Sequence, residues 1–379
     1  MPYRVLVVDG RVETQGVSPT WKSRMELPFV SGSWERKRNG GASGQLVLDA
    51  RHEKFKGTQR LPIWPWQSWI VVEWRHPASE TWHVVYAGVI VSDSYDWKSK
   101  QITISHTDVW SIFAQRIVTT DRTNDIAGSK VTWSGLSKAT MIKRIIQNIT
   151  NGFGSPLTYA FPFVLPADVS GSESLTVYGY NFEKASDLIN DYIEDDGGPD
   201  IDFRPRWSSS GSLEWVMEVN PNVGSVWDYD LDADQSSVDN LTYLLTGAEL
   251  CVKVYGAGEG SERRTLVRQS DHDASNYLAM EDSEKFSGIK DLVKLQSITT
   301  GNRLGRAAAI RQIDMTVRAD GSPRLNELAL GGSVRWKADN DVWLTSGWHE
   351  WEVIALSGSL TDELINITTQ DMLGPEADL

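Results

Sequence analysis

The sequence predicts a mainly β, multidomain chain in which two β-barrel-like domains flank a small α+β domain. Three observations predict it. Apolar runs, alternating or continuous, recur at both ends of the chain. Amphipathic helical patterns are confined to the middle. A strand pattern near the start returns near the end.

Residues 1–117 read as the first β domain. RVLVV, GQLVLDA, SWIVVEW, HVVYAGVIV and QITIS are strand patterns, separated by turn-rich pieces such as RNGGASG and DWKSK. SHTDVWSIFAQR then predicts a short closing helical turn. Residues 118–225 change period. LSKATMIKRIIQNITNG brings Leu136, Ala139, Ile142, Ile145, Ile146 and Ile149 near one helical face, and Asn151 and Gly152 supply a stop. FEKASDLINDYIEDDGG does the same with Ala185, Leu188, Ile189, Tyr192 and Ile193, ending at Gly197 and Gly198. IDFRPRW and LEWVMEV flank SSSGS, a hairpin signal.

Residues 226–371 read as the second β domain. NLTYLLTGAELCVKVYG suggests two strands, and RLGRAAAIRQI a short helix. QIDMTVRA, GSVRWKA, DVWLTS, HEWEVIALSG and ELINITTQD follow as strands. Residues 256–300 form an inserted polar, irregular segment, and 372–379 an acidic tail.

The returning pattern supports a duplication. Ser68 and Ser333 each precede a strand. A second strand follows at Val89-Ile90 and at Val353-Ile354. A third carries Ile102 and Ile104 before Asp108, and Ile365 and Ile367 before Asp371.

Composition narrows the function. A length of 379 residues allows two to three domains of roughly 150 residues each. A net charge of −14 argues against wrapping or reading duplex nucleic acid, which is itself densely negative. The single cysteine, Cys251, cannot form a disulfide within the chain and is expected in the core. No stretch approaches the roughly 20 apolar residues of a membrane span, so no membrane insertion is expected. The leading VLVV is too short for a signal-peptide core, which predicts synthesis in the cytoplasm and departure only inside an assembly.

Catalytic and metal signatures are weak. The six histidines show no HxH or HExxH spacing, and there is no GxSxG elbow. YGAGEGS, residues 255–261, lacks the Gly-Lys-Ser/Thr of a phosphate loop and reads as a glycine-rich turn. In DYDLDADQSSVD, Asp228, Asp230, Asp232 and Asp239 occupy positions one, three, five and twelve of a calcium-loop count, with Ala233 where glycine is required. On an extended strand, the same spacing places Asp228, Asp230, Asp232 and Asp234 on one solvated face. Asp195-Asp196 could serve a two-carboxylate glycosidase, or be solvated charge after a helix. No cofactor and no enzymatic activity are expected.

LPIWPWQSWIVVEW, residues 61–74, carries Trp64, Trp66, Trp69 and Trp74. Trp69 and Trp74 lie on opposite faces of a regular strand, one in the core and one on an outer face suited to a subunit contact. Trp64 and Trp66 flank Pro65 in a stiff turn, where aromatic rings favour protein contacts.

Several stretches together resemble a known family. YAGVIVSDSYDWKSKQITISHTDVWSIFAQR, NLTYLLTGAELCVKVYGAGEGSERR and LALGGSVRWKA follow, in order, the pattern of baseplate hub or tail-tip hub proteins of tailed bacteriophages. The resemblance is particularly to those of long-tailed actinobacterial phages, called minor tail proteins. The chain departs from the family's Gly-Asp-x-Val pattern at Gly332-Ser333-Val334. The resemblance implies two tube-like β domains per chain and a homotrimer presenting six similar faces to a sixfold tail tube. It also implies partners above and below (tube or distal tail protein, and tip or receptor-binding proteins) and DNA passing the lumen without specific binding. A negative lumen suits that passage. The abundance of tryptophan, 17 residues, leaves a host-surface carbohydrate-binding tail protein as an alternative, with a tail-associated cell-wall glycosidase a further one.

Overall fold

The computed structural model describes residues 2–10, 21–55, 63–120, 126–150, 161–221, 224–271, 278–286, 289–339 and 341–371. The first region holds β1 (Tyr3–Asp9), β2 (Ser23–Leu27), β3 (Phe29–Lys37), β4 (Ser43–Asp49), β5 (Ser68–Trp74), β6 (His83–Asp96), β7 (Gln101–Thr107) and the short helix α1 (Trp110–Ala114). The middle holds β8 (Lys130–Leu136), α2 (Lys138–Thr150), β9 (Phe163–Val164), β10 (Ser170–Tyr178), α3 (Ala185–Ile193), β11 (Ile201–Trp207) and β12 (Leu213–Val219). The last region begins with β13 (Val226–Asp230), β14 (Val238–Thr246), β15 (Lys253–Ala257), β16 (Val267–Asp271), β17 (Glu281–Lys285) and α4 (Leu292–Leu304). It ends with β18 (Ile310–Arg318), β19 (Ser333–Ala338), β20 (Gly347–Ser359) and β21 (Leu364–Asp371).

The chain is mainly β, but the expected barrels do not close. The terminal regions share one 13-stranded sheet, ordered β14-β18-β21-β20-β3-β4-β7-β6-β5-β1-β2, with β19 and β13 branching from β20. The reason lies in the length of β20. Its first half pairs with β19, from Ala338 opposite Gly347 to Ser333 opposite Glu352. Beyond that point the same strand pairs with β3, from Ala355 opposite Lys37 to Ser359 opposite Ser33. Side chains from both terminal regions, including Trp34, Leu46, Ile104, Val334, Val353 and Ile367, fill one continuous core.

The duplication extends further than the sequence suggested. The order β3-β4-β7-β6-β5-β1 matches β14-β18-β21-β20-β19-β13, strand for strand along the chain. Ile104 faces Leu46 and Ile102 faces Leu48, while Ile367 faces Met315 and Ile365 faces Val317. The irregularities coincide too. Pairing shifts after Ile90 in β6 and after Val353 in β20, and between Phe29 and Ser31 in β3 as between Val238 and Asn240 in β14. Ile90 therefore corresponds to Val353, one residue from the alignment suggested by sequence. The copies differ in their first strands, since β1 runs antiparallel to β5 whereas β13 runs parallel to β19.

In the middle region the apolar faces of α2 and α3 bury Met141, Ile142, Ile145, Ile146, Ile149, Ala185, Leu188, Ile189 and Tyr192. Leu136 belongs to β8 rather than to α2. The β11–β12 hairpin forms as expected, with Ile201 opposite Val219 and Trp207 opposite Leu213.

Three expectations for the last region are corrected. Segment 256–300 is not irregular throughout: β15, β16 and β17 form a small sheet, and α4 packs over it around Phe286, Ile289, Leu295 and Ile298. The helix runs over Leu292–Leu304 instead of beginning near Arg303. Asp291 starts it by accepting the Val293 and Lys294 N–H groups, and from Ile310 the chain is already in β18. DVWLTS is not a strand, because the Asp341 carboxylate accepts the N–H groups of Trp343 and Leu344 and turns the chain.

Candidate assembly surfaces

The tryptophan-rich stretch divides by burial. Trp74 is buried in the shared core. Trp69, on the opposite face, is equally buried: its ring lies 4.7 Å from Trp215, 5.4 Å from Phe161 and 5.7 Å from Trp21. Neither ring has surface left for a subunit contact, because the middle region already covers the face of β5 that would otherwise be outer. Trp64 is half-buried and Trp66 is 45% exposed. The turn that carries them is rigid. The Trp66 N–H donates to the Ile90 carbonyl (2.7 Å), the Trp64 N–H to the Ser68 hydroxyl (3.1 Å) and the Ser68 N–H to the Trp64 carbonyl (2.9 Å). Trp66 adopts φ 60° and edges a cavity of about 170 Å³ beside Trp21, Ile112 and Arg116.

The aspartates of the calcium-like spacing do not converge. Asp228 takes a two-pronged contact from Arg335 (2.8 and 2.7 Å), which holds its pKa below the usual carboxylate range. Asp230 accepts the Asp232 N–H, and Asp232 accepts the Asp339 N–H. Asp239 sits at the irregular start of β14. Among the described residues no group of three or more His, Cys, Asp and Glu side chains comes together to hold a metal. Only Asp228 and Asp230 lie on a strand, with Tyr229 buried on the opposite face of β13, whereas Asp232 and Asp234 lie in the turn after it rather than on one extended strand face.

The other motifs are structural as well. In YGAGEGS, a Cβ on Gly256 would lie 2.0 Å from Thr299 Oγ1, so glycine lets α4 approach β15. Asp195 is buried against Lys138 Nζ (2.9 Å) and the Ser297 hydroxyl, linking α2 and α4 at the end of α3. Cys251 is buried, and its thiol donates to the Lys253 carbonyl.

Charged side chains that sequence did not single out tie the sheet to the middle region. Arg36 of β3 contacts Asp202 (2.5 Å), and Arg38, in the turn after β3, contacts Asp200 (3.0 Å) and Glu352 (2.5 Å). Buried Glu73 accepts from Arg4 (2.5 Å) and from Trp207 Nε1 (2.8 Å). Sequence alone could not pair residues 69 to 166 positions apart, as Arg4 with Glu73 and Arg36 with Asp202 are. Desolvation pushes the Asp108 carboxyl up to about 7 despite N–H donors from Ala42 and Trp110. Burial lowers His106 to about 4 beside the Tyr86 hydroxyl, 3.0 Å away.

Exposed apolar groups gather near the free edge of the second copy. Leu244 and Leu245 of β14 are 44% and 58% exposed, and Trp343 and Trp348 are 80% and 48% exposed. Tyr243, Leu245, Trp336, Trp343, Trp348 and Trp351 help line an open cleft there. On the first copy, Tyr95 near the end of β6 and Trp97 in the turn after it are exposed.

Two solved structures share this architecture over nearly their whole length, and a third over part of its length. The tail protein of Neisseria meningitidis MC58 superposes with a TM-score of 0.54 at 12% identity, covering 98% of this chain and 97% of that one. The 43 kDa tail protein of prophage MuSo2 from Shewanella oneidensis gives 0.56 at 11% identity, covering 97% and 98%. A chain of the half-lidded Francisella PdpA-VgrG complex gives 0.51 at 12% identity, covering 99% of this chain but 59% of that one. No family model and no curated protein matches the sequence. The chain has the fold of phage and prophage tail proteins. Among the described residues, no helix is long and apolar enough to cross a membrane.

Proposed function

We propose that the chain is a structural component of the virion tail, a baseplate or tail-tip hub that works by assembly and not by bond chemistry. Residues 1–117 and 226–371 serve as the two tube-like units, and 118–225 as the brace between them. Three chains form a ring that joins a sixfold tail tube to a threefold tip and lets DNA pass. The observation that carries the reading is the duplicated six-strand unit, because two similar β units per chain give three chains six similar faces. A net charge of −14 per chain suits a lumen that repels passing DNA. Trp64 and Trp66 project toward a neighbouring subunit or the tube. Native mass spectrometry tests the reading. It predicts a three-chain species or assembly onto tubes, and a stable monomer that binds cell-wall glycan contradicts it.

One feature favours a second reading. The cleft beside Trp343 and Trp348 offers flat aromatic faces of the kind that stack on sugars. Glycan binding lost in Trp343→Ala and Trp348→Ala, by protein that never oligomerises, would establish a carbohydrate-binding tail protein instead.

A further inference from the structure

Within the chain, the two copies of the β unit meet at a seam. The C-terminal part of β20 in the second copy pairs with β3 of the first, from Ala355 opposite Lys37 to Ser359 opposite Ser33. The duplication assigns a counterpart to each side of that seam. Positions 92–96 of β6 correspond to 355–359 of β20, as fixed by their shared pairing with β7 and β21. Thr242–Thr246 of β14 correspond to Ser33–Lys37 of β3, as fixed by pairing with β18 and β4. Among the described residues, β14 pairs only with β18, and β6 beyond Ile90 pairs only with β7. Among the described residues, the chain therefore uses one half of each repeat to join its own copies, while the strand ladders of the other two halves have a neighbouring strand on one side only.

We propose that the β14 edge of one chain pairs antiparallel with the end of β6 of a second copy, repeating between chains the β3–β20 seam found within one. The number of copies that closes the assembly rests on the hub reading above, whereas the seam rests on the duplication. Transferring the register puts Ser92 opposite Thr246, Ser94 opposite Leu244, Tyr95 opposite Tyr243 and Asp96 opposite Thr242.

Side-chain chemistry supports the pairing. Exposed edge strands are ordinarily blunted by charge or proline. Thr242–Thr246 carries neither, and instead exposes Leu244 and Leu245. The β3 counterparts of these leucines, Glu35 and Arg36, are charged, and Arg36 pairs with Asp202 of the middle region. Volumes also balance. In the internal seam, Gly358 faces the large Trp34 ring. In the proposed seam two medium aromatics, Tyr95 and Tyr243, replace that small–large pair. The contact is head to tail, so it leads to a ring or a filament rather than a twofold dimer.

Cysteine pairing tests the register. Cys251 is buried, so a Ser94→Cys/Leu244→Cys chain presents only the two introduced thiols at the surface. Glu35→Cys/Ser357→Cys, which bridges the internal seam, is the positive control for geometry. Native mass spectrometry first establishes the assembled species, and mild oxidation follows. The expected result is a reduction-sensitive cross-link between chains in the double variant and in neither single variant. Ser94→Cys/Leu245→Cys, with its thiols on opposite faces, should cross-link at least about tenfold less. Assembly without the cross-link, or a dimer from Leu244→Cys alone, overturns the seam and leaves the hub reading standing. Cross-linked products extending beyond three copies keep the seam and overturn the three-chain ring. Protein that stays monomeric and uncross-linked, even when supplied with tails, overturns both.

Discussion

Replacing Trp69 by alanine removes the central ring of an aromatic cluster that joins the sheet to the middle region. The ring is 3% exposed and lies within 6 Å of Trp21, Phe161 and Trp215, centroid to centroid. Removing a buried tryptophan side chain costs about 3–5 kcal/mol, from lost transfer free energy and the cavity left behind. Three aromatic neighbours and two rigid walls, β5 and β12, limit local collapse, which favours the upper part of that range. The control is Trp66→Ala, from the same stretch. Its ring is 45% exposed, so truncation should change stability by no more than about 0.5 kcal/mol. Both variants retain the β-rich far-ultraviolet signal, so equilibrium urea unfolding followed by circular dichroism reads the difference. A loss below about 1 kcal/mol for Trp69→Ala, against the about 3–5 kcal/mol expected, would refute the assignment of Trp69 to an internal junction. So would equal losses in the two variants.

Other predictions follow from individual contacts. Asp108 holds its proton in the folded state up to about pH 7, whereas its ordinary pKa is 3.8. Its contribution to stability is therefore full below 3.8 and declines as pH rises to about 7. Asp108→Asn should flatten that decline in urea midpoints measured across the range, and an unchanged slope would show that the carboxyl is not the cause. His106 acts in the opposite sense. Its folded pKa of about 4 lies below the ordinary 6.5, so its contribution grows as pH rises between them. Gly301→Ala would place a Cβ 2.2 Å from the Glu194 carbonyl oxygen. The variant should lose about 1–3 kcal/mol and increase protease cleavage around α4. Glu73→Ala strips Arg4 and Trp207 Nε1 of their shared acceptor and should cost about 1–3 kcal/mol, with Glu73→Gln milder because it keeps the Trp207 contact.

The parts legible in the sequence are those written in periodicity. The apolar faces of α2 and α3 and the β11–β12 hairpin follow from local pattern and turn chemistry. So does the strand pair that carries Ile102, Ile104, Ile365 and Ile367. What was not legible depends on partners distant in the chain. β3, reading FVSGSWERK, has no strong strand signature, yet it joins the two copies through β20, and Arg36 on it and Arg38 just after it reach the middle region. These charged residues face acidic partners more than 160 positions away, so a local scale counts them as loop. One of Trp69 and Trp74 is expected on an outer face, because strand alternation shows that two faces differ but not what covers each, and both are buried. The helix α4 was displaced by about ten residues because its apolar positions are few and it packs on a small sheet of its own. Asp228 and Asp230 of β13, with Asp232 in the turn after it, resemble a calcium loop because strand alternation and a calcium loop both place carboxylates at every second position.

Electron microscopy of assembled protein, by two-dimensional class averages viewed down the symmetry axis, tests the central claim most directly. The account predicts a closed ring of three chains that shows six similar β units around an open centre. A monomer, a twofold dimer, or a ring in which the two β units of each chain lie at different radii would contradict it.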